Sequence, residues 1–145
     1  MTPTVLFKKL MPSARMPEKK SARAAAYDLY YPYETPVTIH SHSQRMLSTG
    51  LAMEIPKGWK GEIYSRSGLA SQGIFVVNQP GKIDSDYRGE IKVLLYNSSY
   101  DDVTLVKGAR IAQFELNPVY DFNWVETNEL SDSERGDGGF GSTGE

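Results

Sequence analysis

The stretch LSTGLAMEI, residues 47–55, decides the fold class. Leu47, Thr49, Leu51, Met53 and Ile55 alternate with Ser48, Gly50, Ala52 and Glu54, the period-two pattern of a strand with one buried face. Pro56-Lys57-Gly58 then supplies a turn. Short β-rich runs follow at 62–64, 74–77, 91–96, 103–106 and 110–116, separated by Gly, Pro, Asn and Asp clusters. Many short strands with closely spaced turns predict an all-β sandwich or barrel-like fold. Only 67–72 reads as helical, and it is barely more than one turn. The last strand is expected to end by about Val125. This gives a single all-β domain over 1–125, with a basic N-terminal segment at 1–23. A polar linker at 126–134 and a glycine-rich tail at 135–145 complete the chain.

One domain suits 145 residues, a length that buries about 68–70% of its unfolded surface. A net charge of −2 gives no general attraction to nucleic acid or membrane, although the charge is unevenly placed. Residues 1–25 carry Lys8, Lys9, Arg15, Lys19, Lys20 and Arg23 against Glu18 alone, whereas 126–145 carry six acids against Arg135. Such ends are read either as solvated arms or as weak hints of binding. The absence of cysteine excludes disulfides and thiolate chemistry. No apolar run approaches the roughly 20 residues of a membrane span, and the N-terminus lacks a signal-peptide core. A soluble protein of the cytoplasm is the expectation. Tyrosines and tryptophans do not cluster with basic residues, which argues against single-stranded nucleic acid as a partner.

Several segments carry chemistry. In GKIDSDYRGEI, 81–91, glycines bracket two carboxylates and an aromatic, predicting a hairpin with Asp84, Asp86 and Tyr87 at its tip. Aspartates there bond their own backbone as Asx turns, or serve as a rigidly held base or metal ligand. In SRSGLA, 65–70, free N–H groups at a helix start and the Arg66 guanidinium suit phosphate, with Ser67 as a simple N-cap the plainer reading. KGARIAQ, 107–113, leads a basic pair into a strand, with Gln113 opposite in phase to Ala112 and Phe114. AAAYDL, 24–29, holds the isolated acid Asp28. His40 and His42 are expected on one strand face, without a third ligand for a metal. No G-x-S-x-G elbow is present, which argues against a serine hydrolase. The tail RGDGGFGSTGE contains G-x-G-x-x-G, but a dinucleotide fingerprint needs a strand before and a helix after it. Only four residues follow Gly141, so that match is rejected.

Taken in order, AAAYDL, SRSGLA, GKIDSDYRGEI, KGARIAQ and RGDGGFGSTG resemble the five motifs of the trimeric deoxyuridine triphosphatase (dUTPase) family across residues 24–144. The resemblance implies a jelly-roll-like all-β subunit, one short helix and a flexible C-terminal arm. It further implies a homotrimer with shared active sites that hydrolyses dUTP to dUMP and pyrophosphate with Mg²⁺. By that resemblance Asp84 activates the attacking water, Tyr87 packs under the deoxyribose, and Asn78 lines the uracil slot. Backbone near Gly81 and Ile83 would read uracil. Arg66, Ser67, Gly68 and Gln113 match phosphate contacts, and Asp28 matches an acid near the triphosphate and its metal, reached through water. In the arm, Arg135, Ser142 and Thr143 match γ-phosphate contacts, while Phe140, followed by Gly141, covers the base. Ala26, Ser65 and Lys82 depart from the usual glycine, proline and apolar residue. Two alternatives remain: a dCTP deaminase of the same fold, whose glutamate base would fall on Leu94, and a non-catalytic nucleotide-sensing member.

Overall fold

The computed structural model describes residues 1–142 and 144. Two four-stranded antiparallel sheets face each other across one core. The first has the order β1 (Leu6–Lys9), β4 (Ser43–Glu54), β8 (Glu90–Asn97), β6 (Ile74–Val76). The second has the order β2 (Tyr27–Tyr30), β10 (Arg110–Pro118), β5 (Trp59–Tyr64), β7 (Gly81–Ile83). A two-stranded ribbon joins β3 (Val37–Ile39) to β9 (Val103–Leu105), and a single helical turn, α1 (Ser67–Ala70), follows β5.

The alternation of residues 47–55 is realised: Leu47, Leu51, Met53 and Ile55 are buried while Glu54 is exposed. Apolar residues Leu29, Ile63, Ile74, Ile91, Leu95 and Ile111 fill the space between the sheets. Each buries roughly 1.5–3 kcal/mol of transfer free energy. The regular pairing of β4 with β8 breaks between Ser48 and Ala52. There the Thr49 hydroxyl donates to the Ile91 carbonyl at 2.6 Å, and the Glu90 carboxylate accepts from Ser48 Oγ and from the Gly50 N–H. These bonds satisfy groups that the interrupted ladder leaves over.

Two sequence expectations change, and the end of the last strand is bounded more tightly. The runs on either side of 84–89 do not form a hairpin: β7 pairs with β5 and β8 pairs with β4 and β6, so this loop crosses from one sheet to the other. The last strand ends at Pro118, and residues 119–142 lie almost wholly exposed beyond it. His40 and His42 sit in the turn between β3 and β4. His40 Nδ1 lies 2.9 Å from Asp102 Oδ2, and the His42 ring packs against Tyr100.

Candidate active site

Where β7 leaves its sheet, a cleft of about 330 Å³ opens beside the crossing loop. Asn78, Gly81, Ile83, Asp84 and Tyr87 line it together. Residues distant in sequence complete the lining: Ile63 from β5, the strand paired with β7, and Met46 and Leu94 from β4 and β8 of the other sheet. No local pattern announces Met46 or Ile63, because only sheet pairing brings β4 and β5 to the cleft.

The crossing loop is tightly specified. The Tyr87 N–H donates to the Asp84 carbonyl at 3.1 Å, closing a β-turn. Arg88 Nη1 donates to the Ser85 and Tyr87 carbonyls at 2.7 and 3.2 Å, and its other terminal nitrogen faces Glu54. The Tyr87 hydroxyl reaches over Gly89 to donate to the Glu90 carbonyl at 2.9 Å. A Cβ at position 89 would stand 2.4 Å from that hydroxyl oxygen, so glycine is required for this ring position. Neither Asp84 nor Asp86 caps its own backbone with its carboxylate among the described residues. Asp84 is therefore an exposed carboxylate on a rigid loop at the cleft wall.

A second cluster lies elsewhere. Gln113 pairs with Asp28 on one side and Tyr64 on the other, so these three side chains share one sheet face. Ala112 and Phe114, the neighbours of Gln113, point into the core. Asp28, only 8% exposed, holds two guanidinium groups: Arg66 Nε at 3.0 Å from Oδ1 and Arg110 Nη1 at 3.6 Å from Oδ2. Arg66 Nη1 also donates to the Arg110 carbonyl at 3.5 Å. Two cations around one carboxylate leave excess positive charge facing outward, an anion platform. Arg110 is the member to which sequence reasoning assigns no role, although KGARIAQ contains it. Ser67 is not an N-cap: Arg66 occupies that position without a side-chain cap bond, and Ser67 and Gly68 open the helical turn exposed.

Farther along the same outer face the Glu62 carboxyl is held below the ordinary glutamate range. The cause is first the hydrogen bond from the Tyr64 hydroxyl and then Lys60, against desolvation. The arm joins neither cluster. Arg135 Nε donates to the Gly138 carbonyl, Ser142 N–H donates to the Gly139 carbonyl, and Phe140 is 114% exposed beside Gly141. Thr143 lies outside the described residues. The structure thus assembles the cleft residues and, apart from them, the platform residues, and it leaves Arg135, Phe140, Gly141 and Ser142 in solvent.

Comparison with characterised proteins identifies this arrangement. A dUTPase family model matches residues 12–144. The deoxyuridine 5'-triphosphate nucleotidohydrolase of Hydrogenobaculum sp. is 46% identical over 141 residues, 97% of this chain and 97% of its own. The protein of that name from Nautilia profundicola is 49% identical over 138 residues, 94% of this chain and 96% of its own. Among solved structures, a mutant dUTPase of Staphylococcus bacteriophage 80alpha with dUpNHpp superposes with a TM-score of 0.87. It has 28% identity and covers 99% of each chain. With the family motifs spread over both clusters and a match of this extent, the chain belongs to the dUTPase family.

Proposed function

We propose that this protein hydrolyses dUTP to dUMP and pyrophosphate by attack of a water on the α-phosphate, in a homotrimer with shared active sites. The observation that carries the reading is Asp84, an exposed carboxylate fixed on a rigid loop beside Tyr87, at a cleft of nucleoside size. The cleft volume of about 330 Å³ falls at the small end of ligand sites, which run from roughly 300 to 1,000 Å³. Asn78 and the backbone at Gly81 and Ile83 hold uracil, and Tyr87 under the deoxyribose leaves no room for a 2'-hydroxyl. Asp84 takes the proton of the attacking water, help worth roughly 10²–10⁴ in rate.

The negative charge of the triphosphate is met by Arg66, Gln113 and the exposed Ser67–Gly68 turn, with Arg135, Ser142 and Thr143 closing from the arm and Phe140 and Gly141 over the base. Mg²⁺ fits this donor set as a substrate-borne ion. Among the described residues no group of three His, Cys, Asp or Glu converges on a metal, and both Asp28 oxygens face guanidinium groups. Magnesium often keeps waters and takes substrate phosphates as ligands, so Asp28 would reach it through water. When bound, it neutralises phosphate charge that would otherwise repel the nucleophile.

Site sharing is supported by the alternation of β5 and β10. Ile63 on the cleft wall and its partner Phe114 face the core, while Gln113, Tyr64 and Asp28 face the opposite way. The platform of one chain is therefore turned away from its own cleft and suited to the cleft of a second copy. A dCTP deaminase reading is disfavoured by Leu94, which brings no carboxylate to the wall where that base would stand. The test is pyrophosphate release from dUTP with Mg²⁺, run beside ammonia release from dCTP. Pyrophosphate alone is expected, and ammonia without pyrophosphate would overturn the proposal. Light scattering, with three chains expected, checks the assembly.

A further inference from the structure

At Ser65, where β5 runs out into the helical turn, three hydrogen bonds meet. The Ser65 N–H donates to Gln79 Oε1 at 2.6 Å, in the segment that carries the cleft residue Asn78. The Ser65 hydroxyl accepts from the backbone N–H of Val76, a 3% exposed residue of the cleft wall, at 2.8 Å. The Ser65 carbonyl accepts from Gln113 Nε2 at 2.8 Å and so orients the amide of the anion platform. Two of these bonds tie the end of β5, in the second sheet, to Val76 at the end of β6 in the first sheet and to Gln79 in the loop that follows it. A proline, the residue that the family resemblance leads one to expect here, has no N–H and no hydroxyl and makes neither of them.

We propose that Ser65 is a positioning residue that ties the cleft wall to the anion platform, with Gln79 as its anchor. Holding the Ser65 peptide at both its N–H and its carbonyl means that a shift of the 76–79 segment is passed to Gln113, and the reverse. This inference rests on the proposed function, because it takes the cleft for the nucleoside site and the platform for the phosphate site. If cleft and platform of one chain serve two different sites of the trimer, the node also links neighbouring sites.

The experiment titrates the full chain calorimetrically with dUMP and, separately, with inorganic tripolyphosphate in Mg²⁺ buffer. Gln79 is exposed and outside the binding machinery, so Gln79→Ala is expected to fold normally. It should weaken both probes by about fivefold, the size of one neutral hydrogen bond. Ser65→Ala should weaken dUMP by a similar factor, and Ser65→Thr, which keeps the hydroxyl, should restore wild-type binding. A role confined to local packing would weaken dUMP alone and would not follow the hydroxyl. Tripolyphosphate binding unchanged in Gln79→Ala overturns the coupling, as does a Ser65→Thr variant no better than Ser65→Ala. Wild-type protein that binds neither probe defeats the reading of the site itself, a result distinct from binding that the variants leave unmoved.

Discussion

The crossing loop at 84–89 and the end of the arm at 135–142 both combine Gly, Asp, Ser, Arg and an aromatic, and they have opposite structural fates. The loop is clamped at both ends by strands of different sheets, and Arg88, Tyr87 and Gly89 lock its interior. Beyond Val119, whose N–H donates to the Gly58 carbonyl at 2.8 Å, the described residues of the arm have only short-range bonds, such as Arg135 with Gly138 and Gly136 with Ser133, while Tyr120, Phe122 and Trp124 stand in solvent. Composition therefore does not decide rigidity; flanking strands that pair with a core do. In the proposed function, chemistry that needs fixed geometry is assigned to the loop and closure over a ligand to the arm, since mobile segments are drawn from the low-stability end of a structure.

The comparison breaks first, if it is wrong, at Asp84. Asp84→Asn keeps size and loop bonds while removing the base, so kcat for dUTP should fall by roughly 10²–10⁴ with nucleotide binding retained. Undiminished turnover would take the chemistry away from the loop. Next comes deletion of 135–145, which should cost about 10²-fold in turnover through lost positioning and leave the melting temperature unchanged. A fully active truncated protein would show that the arm does not close the site.

Gly89→Ala should act through Tyr87 rather than through the chemistry. The added methyl displaces the ring, and discrimination of dUTP against UTP should drop by about tenfold, with Tyr87→Ala at least as permissive. Discrimination unchanged from wild type in both variants would sink the steric role of the ring. The smallest effect is on the stability of the outer face. Because the folded-state value of Glu62 lies below the ordinary 4.5, its contribution is present above that value and fades as pH falls through the folded one. Tyr64→Phe should therefore destabilise by about 1 kcal/mol near neutrality, and the gap from wild type should close in acid. A gap that is constant with pH would point to lost packing instead.

Much of this was legible in the sequence, for reasons that differ by element. The strands at 47–55, 91–96 and 110–116 announce themselves because one face of each is buried. Strands β1, β2 and β3 do not, being three or four residues long, and β1 buries none of its side chains. The cleft residues that follow each other in the chain were foreseeable. Met46 and Ile63 were not, because their arrival depends on which strands pair. The hairpin expectation failed for the same reason: proximity in sequence suggested that β7 and β8 were partners, and the core assigned them to different sheets. The Arg110–Asp28 contact arises only across the β2–β10 ladder.

The alternation of β10, with Phe114 turned inward and Gln113 outward, carries a genetic consequence. If a working site joins the cleft of one chain to the platform of another, lesions in the two halves belong to different complementation groups. Chains carrying Asp84→Asn and chains carrying Arg66→Ala, each inactive alone, would recover activity when unfolded together and refolded as mixed trimers. Some sites in such trimers draw both halves from undamaged faces. A single gene of this design would then show complementation between its own alleles.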